Sequence, residues 1–377
     1  MTTGTQKTLS VERSALSVQP RRNLGARLAL VLCGLGLLLA VSIIAAAGLG
    51  AVSIPPAELL HSVLNRLRGV AGGAGGVGDM DQLLWSLRLP RIALGAIAGA
   101  ALSLAGGSLQ GLLLNPLADP YLIGVSAGAA LGASVSYKMS EGAASTIPIL
   151  GRFIDVAVGL GRTFAAFIAA IITLLIVYRL ALRQGRVGRE SFVLAGIVVG
   201  SFMWSLLTLI LATSQGGQLT GIVTWLLGNL TLVSSWSSVW LAGIVTLVAG
   251  LCLYAFSRDL NLISLGEEPA KQMGVEVERL KKVVIVLAAV LTATAVSVSG
   301  VIGFVGLIIP HIARRLWGPD HRLLLPASAL LGAIFLIWAD TLARIATEIL
   351  PVGVITSLLG APFFCYLLVS ARRKAED

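Results

Sequence analysis

From Ser191 to Ser257 the chain carries no Asp, Glu, Lys, Arg or His. A soluble domain holds about a quarter charged residues, so a stretch this long without one is suited to lipid. At roughly 20 residues per helical crossing it is too long for one span and holds two. The turn between them falls at Ser214-Gln-Gly-Gly-Gln218, and the amphiphilic piece 219–235 after it fits a short helix at the membrane interface. The rest of the chain follows suit, with 56% hydrophobic and only 12% charged residues. Its apolar runs are continuous rather than alternating, which excludes a membrane barrel and leaves helices. The fold class is an all-α polytopic membrane protein.

Reading onward from the N-terminus, residues 1–23 are a polar, disordered tail, and an apolar run from Leu28 to Ile54 is the first span. That run is too long for a signal peptide. Residues 55–87 read as an external loop containing AGGAGGVG at 71–78, followed by a second span at 92–112 and a third at 121–136. Small residues at Gly95, Gly99, Ser103, Gly107 and Gly111 form one helical stripe, suited to close helix packing or to lining a pathway. Asn115-Pro-Leu-Ala-Asp-Pro120 breaks the chain between these spans. Further spans fall at 163–178, within 191–257, and at 283–299, 302–313, 323–339 and 353–370. The segment 302–313 is short and, with Gly303, Gly306 and Pro310, bent or partly irregular. The total is about ten spans, at about 20 residues each, with both termini on one side.

Lys and Arg decide which side. Of the 28, 20 fall in the tail, 179–189, 258–282, 314–322 and 372–374, against 8 in the opposite loops. Cytoplasmic loops collect these residues, so both termini, including 373–377, lie inside. The net charge of +10 is accounted for in the same way, without nucleic acid. Cys33, Cys252 and Cys365 all sit inside apolar runs, as small core residues rather than a disulfide framework or metal site.

No span places an ionisable residue near its middle, where ion-coupled carriers bind their coupling ion. No phosphate loop, metal cluster or nucleophile–base pair is present, so nothing here is catalytic. A chain of this kind that moves a solute is either driven by a separate motor or is a passive channel. The contact for a motor is the charged segment 258–282, with ten ionisable residues between two uncharged apolar stretches. Its pieces Leu262–Gly266 and Ala270–Gly274 each end in a glycine able to cap a helix, and Glu267, Glu268 and Pro269 suit a helix start. Leu262, Ile263, Leu265 and Met273 beside these charges suit an interface, though a solvated loop reads the same way. On the other side Arg88, Arg91 and Arg344 stand at span ends against the positive-inside trend. They are headgroup contacts, an Asp340–Arg344 pair, or a basic rim for an acidic external partner.

Several motifs occur in a fixed order: Arg88-Leu-Pro-Arg91, Asn115–Pro120, Gly124-Val-Ser-Ala-Gly-Ala129, Leu194-Ala-Gly196, Leu265-Gly-Glu-Glu-Pro-Ala-Lys-Gln-Met-Gly274, Gly300–His311 with Arg314, Asp320-His-Arg322, Ala339–Arg344 and Pro351–Phe364. In this order they resemble the FecCD-type permeases of ABC importers for iron–siderophore chelates, haem and cobalamin, over residues 24–372. The resemblance implies a type II ABC importer permease that works as a homodimer in the lipid of the cytoplasmic membrane. It further implies two ATP-binding subunits, which carry ATP and magnesium, and one external substrate-binding protein, with no cofactor on this chain and ferric siderophore as the leading cargo. Arg88, Arg91 and Arg344 map to the residues that dock the binding protein, and Asn115 and Leu117 to the cytoplasmic gate. Leu265, Gly266, Glu267, Glu268, Ala270, Met273 and Gly274 map to the helices coupled to the ATPase. Cobalamin permeases carry small hydroxyl residues before the Leu-Ala-Gly segment, where this chain reads Gly188-Arg-Glu-Ser191.

Overall fold

The computed structural model describes residues 24–50, 54–67, 81–144, 151–183, 186–231, 235–346 and 350–376. The tail 1–23 and the glycine-rich piece 71–78 lie outside them. In chain order the helices are α1 (Leu24–Gly48), α2 (Pro56–Leu67), α3 (Leu83–Leu113), α4 (Val125–Ala144), α5 (Gly151–Ala181), α6 (Arg189–Ala212) and α7 (Gly216–Leu226). There follow α8 (Trp236–Ala255), α9 (Ser257–Ile263), α10 (Glu267–Gln272), α11 (Val277–Ser299), α12 (Val305–Trp317), α13 (His321–Ile345) and α14 (Val352–Glu376). A two-residue antiparallel pair, β1 (Leu182–Arg183) with β2 (Arg186–Val187), joins α5 to α6.

Each expected span coincides with one helix. Seven of them, α1, α3, α5, α6, α8, α11 and α13, contain a stretch long and apolar enough to cross a membrane, and α14 contains a shorter apolar stretch, Val352–Tyr366. α4, diluted by Ser and Gly, and α12, with 13 residues, do not meet that standard. The uncharged stretch divides as expected, with the turn at Thr213–Gln215 and the short helix α7 just after it.

Several boundaries differ from expectation: α1 ends at Gly48 rather than 54, α5 starts at Gly151 rather than 163, and two further cases have a visible local cause. The loop predicted over 55–87 contains α2 and the first turns of α3, which starts at Leu83 rather than 92. Those turns are a π-helix, Leu83–Arg88, in which Leu89 N–H donates to Leu84 O five residues back. The wider winding carries the chain past Pro90, which has no N–H and would strain a regular α-turn. The span after the break starts at Val125 rather than 121, because Asp119 Oδ1 accepts the Tyr121 N–H at 2.9 Å and caps a 3-10 turn, Pro120–Ile123.

Burial separates the helices into two sets. In α3, α11 and α13 the apolar windows are 78%, 72% and 67% buried, against 17% in α1 and 28% in α6. α1 and α6 lie outside the core, which is formed by the first three with the buried parts of α4 and α12. Their close approach rests on the small-residue stripe: a Cβ at Gly99 would collide with the Gly332 carbonyl of α13, and the Ser103 hydroxyl occupies the space where Gly332 would carry one. Helix packing is therefore the role of the stripe at Gly99 and Ser103. The cysteines are the converse case: expected in the core, Cys33, Cys252 and Cys365 all lie on exposed faces. An apolar run marks a helix as suited to lipid without saying which of its faces is turned inward.

The segment predicted to be irregular is so. After α11 the backbone turns at Gly300 (φ 69°) and Phe304 (φ 69°) before α12, which contains Pro310. Tyr121 Oη donates to Ile302 O at 2.8 Å and accepts from Ile302 N at 3.1 Å, satisfying unwound backbone that lipid could not.

Candidate functional site

α3 joins two polar clusters, one at each end. At its first end Arg88 and Arg91 meet Asp340 and Arg344 of α13. Arg91 Nη2 lies 2.8 Å from Asp340 Oδ1, and Arg344 Nε lies 3.1 Å from Asp340 Oδ2, one helical turn away in sequence. Arg91 Nη1 also donates to Thr231 Oγ1 at 2.6 Å. Arg88 Nη1 donates to Ala47 O at 2.8 Å, and Arg344 Nη2 to Ala46 O at 3.2 Å. These carbonyls belong to the last turn of α1, which has no intrahelical donors and is the negative end of its dipole. Two guanidiniums, those of Arg91 and Arg344, thus share one carboxylate, and Arg88 lies beside them at the end of α1.

The basic rim expected from the sequence is therefore not an open one. Arg88 and Arg344 are 7% and 9% exposed, because each directs donors into the end of α1. The backbone at Gly50 passes beside both guanidiniums, and a Cβ there would lie 3.4 Å from Arg88 and 3.5 Å from Arg344. The Asp340–Arg344 pair, one of the readings the sequence left open, is present and is joined by Arg91.

At the other end α3 stops at Leu114, which adopts the left-handed conformation (φ 51°). The Asn115 side chain accepts the Leu117 N–H at 2.9 Å, an Asx-turn that directs the chain away from the helix. Asn115 is exposed and Leu117 half-buried. A cavity of about 430 Å³ opens beside this turn, lined by Leu114, Gly188–Ser191, Gly266 and Glu267. The turn and the charged segment 258–282, far apart in sequence, therefore share one cavity wall.

Two short helices were expected in this segment and two are present, but α9 lies earlier than the expected piece Leu262–Gly266 and α10 starts at Glu267 rather than Ala270. The chain breaks at Gly266 (φ 116°) and Gly274 (φ 87°), where a side chain would be strained. Glu267 and Glu268 occupy the first turn of α10, where the dipole favours them. Leu265 and Met273 are 65% and 47% exposed. Leu262 is only half-buried and Ile263 is fully buried, since α9 turns them toward the bundle. Ala270 is also fully buried, so it anchors α10 and presents no contact surface.

Glu267 forms a clamp that the sequence did not predict. Its Oε1 lies 2.9 Å from Arg189 Nη2 of α6, and its Oε2 lies 2.8 Å from Lys281 Nζ of α11. Lys281 also meets Glu278 at 3.1 Å, and the Val187 N–H of β2 donates to Glu278 at 3.2 Å. Burial pushes the Glu267 carboxyl up, but the Lys281 hydrogen bond and charge, with Arg189 and Lys271, outweigh it and hold it below the usual glutamate value. No signal in the sequence pairs residues so widely separated.

Between the two ends a concavity of about 620 Å³ is lined by Tyr121, Leu226, Val301, Gly303, Gly353 and Leu358, among others. None of its lining residues is charged. Among the described residues no group of three or more His, Cys, Asp or Glu could hold a metal ion.

Residues 38–370 match the model of the FecCD transport family. The chain is 41% identical over 341 residues to the uncharacterized ABC transporter permease protein YvrB of Bacillus subtilis, covering 89% of this chain and 92% of that one. It is 43% identical over 294 residues to the cobalamin import system permease protein BtuC of Halobacterium salinarum, covering 78% and 75%. It is 35% identical over 362 residues to the hemin transport system permease protein HmuU of Yersinia pestis, covering 95% and 98%. A metal-chelate type ABC transporter in an inward-facing conformation superposes with a TM-score of 0.73 at 30% identity, covering 91% of this chain and 99% of the other. With its all-helical membrane fold and its motifs in order, the chain is an ABC importer permease by architecture and belongs to the FecCD transport family.

Proposed function

We propose that this chain is the permease subunit of an ATP-driven importer that takes a metal chelate from an external binding protein and releases it into the cytoplasm. The observation that carries this reading is the two-ended build of α3. One end groups three arginines, Arg88, Arg91 and Arg344, and the other sits beside a charged loop with exposed Leu265 and Met273. The uneven Lys/Arg distribution supports a cytoplasmic position for that loop and both termini, in the cell membrane. Two copies would enclose the pathway, with the uncharged concavity facing the shared axis. The exposed apolar faces of α6 (Leu194, Ile197, Phe202) and α14 (Leu358, Leu359) support such a pairing. Two ATPase subunits, which carry the ATP and magnesium, would bind α9 and α10.

The relatives named for cobalamin and haem, with another named for iron(3+)-hydroxamate import in Bacillus subtilis, support the chelate class, including the ferric siderophore suggested by the motifs. The arginine end is the proposed docking site for the binding protein. Carboxylates on that partner would compete with the α1 carbonyls for Arg88 and Arg344. Arg88→Gln and Arg344→Gln should weaken docking and flatten its salt dependence in a binding assay; docking of unchanged affinity and salt dependence would count against this site.

Isolating the tagged chain from its own membrane tests the assembly and the cargo together. An ATPase subunit should accompany it, and its binding protein should carry a chelate identifiable by absorbance and mass. A chain that transports the chelate with neither partner present would be a channel or carrier instead.

A further inference from the structure

The importer reading requires movement of α9 and α10 to reach the turn at Asn115–Leu117, and a continuous set of contacts joins them. Asn261 on α9 accepts two hydrogen bonds at its Oδ1, from the backbone N–H of His321 at 2.8 Å and from His321 Nδ1 at 2.8 Å. Its Nδ2 donates to Asp320 Oδ1 at 2.6 Å. That carboxylate orients the amide, and the amide in turn places the imidazole proton on Nδ1. His321 Nε2 is left buried and, among the described residues, without a hydrogen-bond partner. It points at Gly111 of α3 so closely that a Cβ there would collide with it.

The residue before Gly111 carries the contact onward. Gln110 O accepts the N–H of Leu114 and, at 3.2 Å, that of Asn115, which are the bonds that begin the turn. Its side chain is held by α12, donating to Leu307 O at 3.0 Å and accepting from Arg314 at 3.1 Å. Buried polar atoms are nearly always paired, so the bare Nε2 needs an explanation. A steric contact explains it: any residue larger than glycine at 111 would push the ring off Asn261.

We propose that Asn261, His321 and the Gln110–Gly111 pair are positioning residues that carry displacement of α9 to the Asn115–Leu117 turn, so that ATP hydrolysis and gate opening occur together. This rests on the importer reading and adds its internal linkage. Gly111, in this account, serves the linkage rather than the helix packing it shares a stripe with.

The test uses the complete complex in liposomes, measuring cargo taken up per ATP hydrolysed. In parallel, a single reporter cysteine, Leu117→Cys with Cys33, Cys252 and Cys365 replaced, is labelled by maleimide with and without ATP. His321→Asn can still bond Asn261 but is too short to reach Gly111. Uptake per ATP should fall on the order of tenfold, within the range typical of coupling between sites, and labelling should stop responding to ATP. Gly111→Ala alone should also uncouple, whereas Gly111→Ala with His321→Asn should regain much of the lost uptake, because the added methyl fills the gap. Asn261→Ala leaves the buried ring in place, and if His321→Asn impairs assembly it carries the same prediction. Normal uptake per ATP and ATP-dependent labelling in these variants would overturn the linkage while leaving the importer intact. Uptake by the unmutated complex without ATP would overturn the importer reading itself.

Discussion

Among the described residues Asp340 is the one carboxylate between Arg91 and Arg344, with 2% of its side chain exposed. Removing one partner of a buried ion pair leaves the other charge without compensation, which typically costs about 3–5 kcal/mol. Asp340→Asn should therefore lower stability by that order in a denaturation titration in detergent micelles, and Asp340→Asn with Arg91→Gln should recover part of it. Equal stability of Asp340→Asn and the unmutated chain would mean that the cluster is hydrated rather than buried. The three arginines were legible in the sequence because they run against the positive-inside trend. Their burial was not, since it depends on the end of α1 lying beside them, some 40 residues away in sequence for Arg88.

α9 and α10 show both sides of the same question. Gly266 and Gly274 marked their ends in the sequence, because only glycine adopts those positive φ values without strain. The burial of Ile263 and Ala270 was not legible, because a helix of six or seven residues is too short for its periodicity to single out a face. α2 was missed although Pro56 and Glu58 are helix-start signals and Leu59, Val63 and Leu67 recur at helical spacing. The Ala270 N–H donates to Gly266 O at 3.2 Å, so Ala270→Pro removes that bond and crowds the preceding turn. ATP hydrolysis should continue in such a complex while uptake is lost; normal uptake per ATP would reduce α10 to a passive loop. The clamp on α10 also has a pH signature. Glu267 has a lowered folded-state pKa, so its contribution is complete above the ordinary glutamate value and is lost as pH falls through the lowered one. The protection of α10 amides from exchange, corrected for the intrinsic pH dependence, should therefore fall under acid and lose that acid sensitivity in Glu267→Gln; a pH response unchanged by the substitution would place the effect elsewhere.

At the scale of the whole molecule, the fold was legible because lipid makes each crossing a long apolar run and makes each break require polar or small residues. Seven of the expected spans became helices long and apolar enough to cross on those grounds, the others became helices that are shorter or less apolar, and the irregular stretch before α12 was marked by its glycines and proline. What a single chain could not reveal is how distant ends meet: Arg189 with Glu267, Asn261 with His321, Arg88 with Ala47. These contacts close the two ends of the molecule, and the proposed mechanism depends on their acting together. Uptake of a radiolabelled or coloured metal chelate into liposomes tests this most directly, with the permease alone, with its ATPase, and with ATPase and binding protein together. The account predicts uptake only in the last case and only with ATP; uptake by the permease alone would contradict it.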